Sequence, residues 1–207
     1  MKAILYSLFI LLSCNLFAQI DRSVMPKPGK APIININDSK VFKLSNGITV
    51  IVSENHKIPK VSFNIRMGSD PILEGRLAGL SDLAGSLLLS GTSNRSKDQF
   101  DNDIDYIGAD LSADKNSIFL SCLTKHVDKG LTLMSDVLLN ASFPEDEFIR
   151  IKKQNESGLM AAKSDAGAMA QNATSKVNFP KHPYGEVMTE ASLNAIQLQD
   201  VKDYFKK

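Results

Sequence analysis

The chain has 207 residues, 43% of them hydrophobic and 23% charged, with a formal net charge of +1. Those are the proportions of an ordinary folded protein long enough to bury a real core. A near-neutral balance removes the electrostatic basis for binding nucleic acid or an anionic membrane surface, so no nucleic-acid partner is expected.

Met1 and Lys2 precede an apolar run over residues 3–12, and Leu16-Phe17-Ala18-Gln19 follows shortly after. A short basic start, an apolar stretch too short to span a bilayer and a small residue near its end describe a signal peptide over residues 1–18. The run Leu11-Leu12-Ser13-Cys14 also resembles a bacterial lipoprotein cleavage site, which would leave a lipid anchor on Cys14. Either form of processing gives an exported protein, periplasmic or associated with the outer membrane. No later segment reads as a membrane span. With Cys14 removed or lipidated, Cys122 has no disulfide partner, and its apolar surroundings over residues 118–123 make it a core residue.

Residues 19–40 carry three prolines and a glycine with little periodicity, so they form an extended lead-in, tacked down by Ile33-Ile34-Asn35-Ile36. Residues 41–54 read as a hairpin, with strands at 41–44 and 48–52 around Ser45-Asn46-Gly47. A third strand spans 61–67, and a loop at 70–76 leads to a helix over 79–92. There Leu80, Leu83, Leu87 and Leu88 make one apolar stripe, and Gly91 is the stop. Phe100, Ile104 and Ile107 mark a helix over 98–107 with Asp98 as its N-cap and Gly108 as its end. A second hairpin follows, with strands at 109–114 and 117–124. Residues 127–139 form an amphipathic helix with Leu131, Met134, Val137 and Leu138 inward, broken by residues 140–144. One long helical stretch is expected from Glu145 to Asn178, then a loop at 179–185 and a last helix over 198–205. Strands followed by helices in this order predict an α+β domain, a mainly antiparallel sheet with helices packed on one face.

The helix at 79–92 carries the most telling polar face. Asp82 and Ser86 are four residues apart and share one side, with Gly85 beside them. Around it the landmarks resemble those of the M16 peptidases, the insulinase, pitrilysin and mitochondrial processing peptidase family. Phe42-Lys43-Leu44-Ser45-Asn46-Gly47-Ile48-Thr49-Val50 is similar to that family's opening strand–turn–strand. Gly79, Gly91 and Thr92 match the frame of its helix motif G-x-x-H-x-x-E-H-x-x-x-x-G-T. Gly108-Ala109-Asp110-Leu111-Ser112-Ala113 resembles its GG-x-x-N-A strand, Asn140-Ala141-Ser142-Phe143-Pro144 its helix break, and His182-Pro183-Tyr184-Gly185 its hPyG loop.

The resemblance implies an M16/LuxS-type fold over residues 41–207. It also implies a truncated N-terminal domain, because further strands complete the sheet in the family. In the family, two histidines and a later glutamate hold zinc, and the glutamate of HxxEH is the general base. Asp82, Gly85 and Ser86 stand at the His, Glu and His positions, and the later ligand's slot falls near Gly158, with Glu156 the nearest carboxylate. The resemblance therefore implies a lost zinc site and no cofactor of this chain's own, zinc being expected only in an active partner. His56, His126 and His182 show no metal spacing, Ser86 has no histidine base nearby, and Asp101, Asp103 and Asp105 lack the glycine and glutamate of a calcium loop.

Three functions remain open at this point. The first is a non-catalytic M16 subunit or half that pairs with an active HxxEH peptidase and helps bind peptide. Leu111, Ser112 and Ala113, matching the family's substrate-pairing strand, would be the peptide edge. The second is a structural or assembly role without peptide binding. The third is a divergent zinc metallopeptidase using Asp82 and Glu156.

Overall fold

The computed structural model describes Met25 and residues 29–31, 38–68 and 70–206. The expected signal segment, Cys14 and the Ile33-Ile34-Asn35-Ile36 patch lie outside the described residues. The chain divides into two compact units between Asn55 and His56, a boundary inside the domain expected over residues 41–207.

The first unit contains an antiparallel hairpin of β1 (Lys40–Lys43) and β2 (Thr49–Val52), in register from Lys40 opposite Val52 to Lys43 opposite Thr49. Its turn has the chemistry expected from Asn46-Gly47. Gly47 takes φ +88°, its N–H donates to the Leu44 carbonyl at 2.9 Å, and the Ile48 N–H donates to Asn46 Oδ1 at 3.2 Å.

The second unit is built on a three-stranded antiparallel sheet in the order β3 (Lys60–Arg66), β5 (Ser117–Leu123), β4 (Asp110–Ala113). The local hairpin β4–β5 forms as its turn residues predict. β3 reaches β5 from more than fifty residues away, a pairing that no local signal encodes. Phe63, Leu120 and Leu111 sit opposite one another across the three strands, Leu120 in the core and the other two half-buried against it. On the other face Ser62 and Ser121 hydrogen-bond side chain to side chain at 3.0 Å.

Helices pack on the apolar face and against one another. They are α1 (Leu80–Leu87), α2 (Lys97–Ile107), α3 (Val127–Asn140), α4 (Glu145–Ala162), α5 (Ala166–Asn178), α6 (Glu190–Ala195) and α7 (Leu198–Phe205). Leu83 and Leu87 of α1 meet Ile118 and Leu120 of β5, Met134 and Val137 of α3, Ile151 of α4 and Val201 of α7 in one continuous core. Each of these side chains contributes roughly 1.5–3 kcal/mol by leaving water. α3 lies close over β5 at Gly130, where a Cβ would stand 3.1 Å from Leu120 Cδ2 and 3.3 Å from Cys122 Sγ. Cys122 is buried, as its apolar run predicts. The α+β class, with antiparallel strands and helices on the sheet, is the fold observed.

Local details depart from the sequence reading in five places. Ser96, not Asp98, caps α2, because Ser96 and Gln99 satisfy each other's backbone N–H groups in a capping box. In α3 Leu131 is exposed and Leu133 buried, since the helix presents a slightly rotated face to β5. The long stretch from Glu145 splits in two at residues 163–165. There Asp165 leaves helical geometry and its side chain caps α5 by accepting from the Ala168 N–H. α1 ends at Leu87, short of the Gly91 stop, and Thr92 goes on to bridge Ala141. The short α6, capped by Thr189, has too few residues to show periodicity.

Candidate functional site

α1 is held at both ends, which positions its polar face. Gly79 precedes it at φ +99°, a backbone conformation that disfavours any side chain, and a Cβ there would also run into Met188. The N-terminal N–H groups, orphaned in any helix, are met by a carboxylate from upstream. Glu74 Oε2 accepts from Gly79 at 2.6 Å and Leu80 at 3.0 Å, and Oε1 accepts from Ser81 at 2.9 Å. Glu186 in turn accepts from the Glu74 and Gly75 N–H groups, each at 2.7 Å. Two carboxylates in series thus fix the start of α1, and their charge suits the positive end of the helix.

Beyond the C-terminal end, Asp136 of α3 gathers the loop that follows. Its carboxylate accepts from Thr92 Oγ1 (2.8 Å), Asn94 Nδ2 (2.6 Å), Arg95 Nη1 (2.5 Å) and Asn140 Nδ2 (2.8 Å). Burial works against the charge on Asp136, but these four donors outweigh it and lower its pKa to about 2. Arg95 also reaches Asp103, which pairs with Lys129, and Asp101 pairs with Lys97. Asp101 and Asp103 of α2 therefore sit in surface ion pairs rather than in a cation loop.

Between these anchors lie the three positions singled out in the sequence. Asp82 is exposed and pairs with Lys115 of the β4–β5 turn, Oδ1 to Nζ at 2.9 Å. Ser86, also exposed, donates its hydroxyl to the Asp82 carbonyl at 2.9 Å. Gly85 is buried under the same turn. A Cβ on Gly85 would collide with the Lys115 backbone nitrogen and lie 2.7 Å from the Asp114 carbonyl carbon. The turn is itself rigid, since Asp114 accepts from the Asn116 and Ser117 N–H groups and from Ser117 Oγ. No catalytic carboxylate can be carried at position 85 while the turn sits there.

Ser86 and Gly158 form walls of one cavity of about 520 Å³ between α1 and α4. Ile151, Gln154, Asn155 and Gly158 line it at i, i+3, i+4 and i+7 of α4. Glu156 is exposed and lines no part of it. The structure thus joins Ser86 to Gly158 and leaves Asp82 and Glu156 apart, Asp82 lining a separate opening with Arg66 and Lys115. The polar residues of the cavity's α4 wall, Gln154 and Asn155, went unnoticed in the sequence. Their spacing from Ile151 was the available signal.

A zinc ion does not fit this donor set. Asp82 is engaged by an ammonium, Ser86 is a poor zinc ligand, and neither Gly85 nor Gly158 offers an atom to bind metal. Among the described residues no group of three His, Cys, Asp or Glu side chains converges. His126 precedes α3, and His182 Nδ1 accepts from the Tyr184 N–H, its ring stacked edgewise on Tyr184 at 4.6 Å.

The expected peptide strand is where the sheet ends. β4 pairs with β5 on one side only, and among the described residues its outer edge has no strand beside it. Ser112 is exposed on it, with Leu111 and Ala113 half-buried to either side.

Known proteins resemble this chain in sequence and in fold. The family model of insulinase (peptidase family M16) matches residues 49–190. An uncharacterized zinc protease of Rickettsia felis is 26% identical over 116 residues, 53% of this chain and 28% of that protein. The uncharacterized zinc protease YmxG of Bacillus subtilis is 21% identical over 177 residues, 80% of this chain and 43% of that protein. The chain thus spans less than half the length of the relatives it matches. Among solved structures, a peptidase M16 inactive domain from Pseudomonas fluorescens superposes with a TM-score of 0.74 at 21% identity, covering 82% of this chain and 43% of that one. A protease from Helicobacter pylori gives 0.71 at 17% identity, with coverage of 83% and 43%. No helix among the described residues is long and apolar enough to cross a membrane. With a family model covering most of its length and the same fold in solved members, the chain belongs to the M16 peptidase family, as an M16 peptidase-like domain.

Proposed function

We propose that this chain is a non-catalytic M16 unit that binds extended peptide along β4 and works beside a second M16 unit carrying an intact HxxEH zinc site. The observation that carries this reading is the state of α1. Its frame is kept, while Asp82 is tied to Lys115, Gly85 is packed under the β4–β5 turn and Ser86 bonds back to its own helix. An edge strand with no neighbour among the described residues supports peptide binding, because backbone N–H and C=O groups along it can pair with an added strand. The inactive domain from Pseudomonas fluorescens, to whose fold this chain is similar, supports the non-catalytic part. Export through residues 1–18 would place the pair in the periplasm or, with Cys14 as a lipid anchor, at the outer membrane.

The test is purification of the tagged full chain from its own cells, followed by peptide hydrolysis assays with and without the co-purified M16 partner. Hydrolysis only in the mixture, abolished by a zinc chelator, is the expected result. Chelator-sensitive hydrolysis by this chain alone overturns the reading.

A further inference from the structure

We propose that the cavity between α1 and α4 is a pocket for a carboxamide side chain, glutamine or asparagine, of the bound peptide. This deepens the peptide-binding reading and rests on it. The cavity, about 520 Å³ and open to water on one side, readily admits one side chain. Gly158 keeps it open, since nothing lies within 4 Å of where its Cβ would be.

The walls select by charge and by hydrogen-bonding pattern. The one charged lining residue, Arg150, is already paired with Glu147, its Nη2 2.7 Å from Oε2 and its Nε 3.0 Å from Oε1. Arg150 holds the Glu147 carboxyl below the usual carboxylate range, so the pair stays ionised and the cavity carries no uncompensated charge. A charged ligand side chain would meet no free counter-ion there, since Arg150 and Glu147 neutralise each other. A carboxamide is neutral and needs both donors and acceptors, and the cavity has both. Asn155 spends Nδ2 on the Ile151 carbonyl and keeps Oδ1 as an acceptor. Ser86 spends its proton on the Asp82 carbonyl and keeps its lone pairs. The Gln154 amide makes no hydrogen bond among the described residues, leaving two donors and an acceptor. Leu159 and Met188 supply apolar wall for the aliphatic stem. A purely apolar side chain would strip water from Gln154 and Asn155 without replacing it.

The test is fluorescence anisotropy of the full chain with labelled extended peptides, each position in turn set to Gln, Glu, Leu or Lys. Gln at one position should bind about tenfold tighter than the other three, the difference of one to two neutral hydrogen bonds. Gly158→Leu fills the cavity at an unstrained helical position, so it should erase that preference while leaving the Tm unchanged or raised. Gln154→Leu should weaken the preference severalfold. Ala113→Pro, which removes an N–H on the open side of β4, should abolish binding of all peptides alike. Binding by wild type without a Gln preference, or a preference that survives Gly158→Leu, overturns the pocket and leaves the β4 reading standing. A Gln preference that survives Ala113→Pro refutes the β4 edge and keeps the pocket. Failure to bind any peptide refutes both.

Discussion

Replacing Asp136 by Asn tests how the site helix is anchored. The substitution keeps the shape of the side chain and removes its charge. Four donors converge on this carboxylate, including the Arg95 guanidinium, and Asp136 is only 5% exposed. A pKa lowered from 3.8 to about 2 is worth about 2 kcal/mol of stability, at roughly 1.4 kcal/mol per pKa unit. Because the folded-state pKa lies below the unfolded one, this contribution is fully present above about pH 4 and is lost as the pH falls toward 2. The replacement amide must also turn an N–H group toward one of the four donors, so Asp136→Asn should cost about 2–4 kcal/mol at pH 7. Urea denaturation followed by circular dichroism at pH 7 and at pH 2.5 measures both effects. The gap between wild type and variant should be large at pH 7 and should shrink by about 2 kcal/mol in acid. A loss below about 0.5 kcal/mol at pH 7, or a gap that does not change with pH, would refute the assignment of Asp136 as an ionised anchor.

Other substitutions probe the remaining contacts of α1. Glu74→Ala removes the carboxylate that accepts three N–H groups at the helix start, and should cost about 1–2 kcal/mol in chemical denaturation; a loss within error would mean that solvent satisfies those donors equally well. Gly85→Ala should destabilise by about 1–3 kcal/mol through overpacking against the Lys115 backbone, outweighing the better helix propensity of alanine; a raised Tm would show that the turn moves away freely. The combination Asp82→His, Ser86→His and Gly158→Glu restores the family's three ligand types without disturbing Gly85. Isothermal titration should then detect one zinc per chain where wild type shows none, and absence of binding would mean that Ser86 and Gly158 do not share a metal-sized space with position 82. Proline at Ala113 should leave the Tm within a few degrees, since the Ala113 N–H lies on the open side of the edge strand β4 while the Ser112 N–H faces β5; a collapse of the Tm would place the Ala113 N–H in the β5 ladder.

Much of the fold was legible because the signals were local. Asn46-Gly47 encodes its hairpin turn, Gly108 closes α2 in the left-handed conformation, and α7 spans Leu198–Phe205, where a last helix is expected. The apolar stripe of Leu83 and Leu87 is buried where a helical repeat requires it. Boundaries that depend on competing caps were less legible. Ser96 and Asp98 are both good N-caps, and only the reciprocal bond with Gln99 favours Ser96. Leu131 and Leu133 are two residues apart on α3, so a small rotation of the helix against β5 decides which one is inside.

For the site, the sequence by itself determined which side chains are missing. Asp82, Gly85 and Ser86 cannot supply two imidazoles and a base, whatever the fold, because ligand chemistry belongs to residue type. Only the tertiary structure decided what took their place. Lys115 and the turn behind Gly85 come from about thirty residues downstream, and the cavity joining Ser86 to Gly158 needs two helices packed together. The exclusion of Glu156 follows from α4's rotation, which faces Ile151, Gln154 and Asn155 toward α1 and leaves Glu156 in water. Such contacts depend on long-range packing of the core, a property of the whole folded unit that no local stretch of the chain encodes.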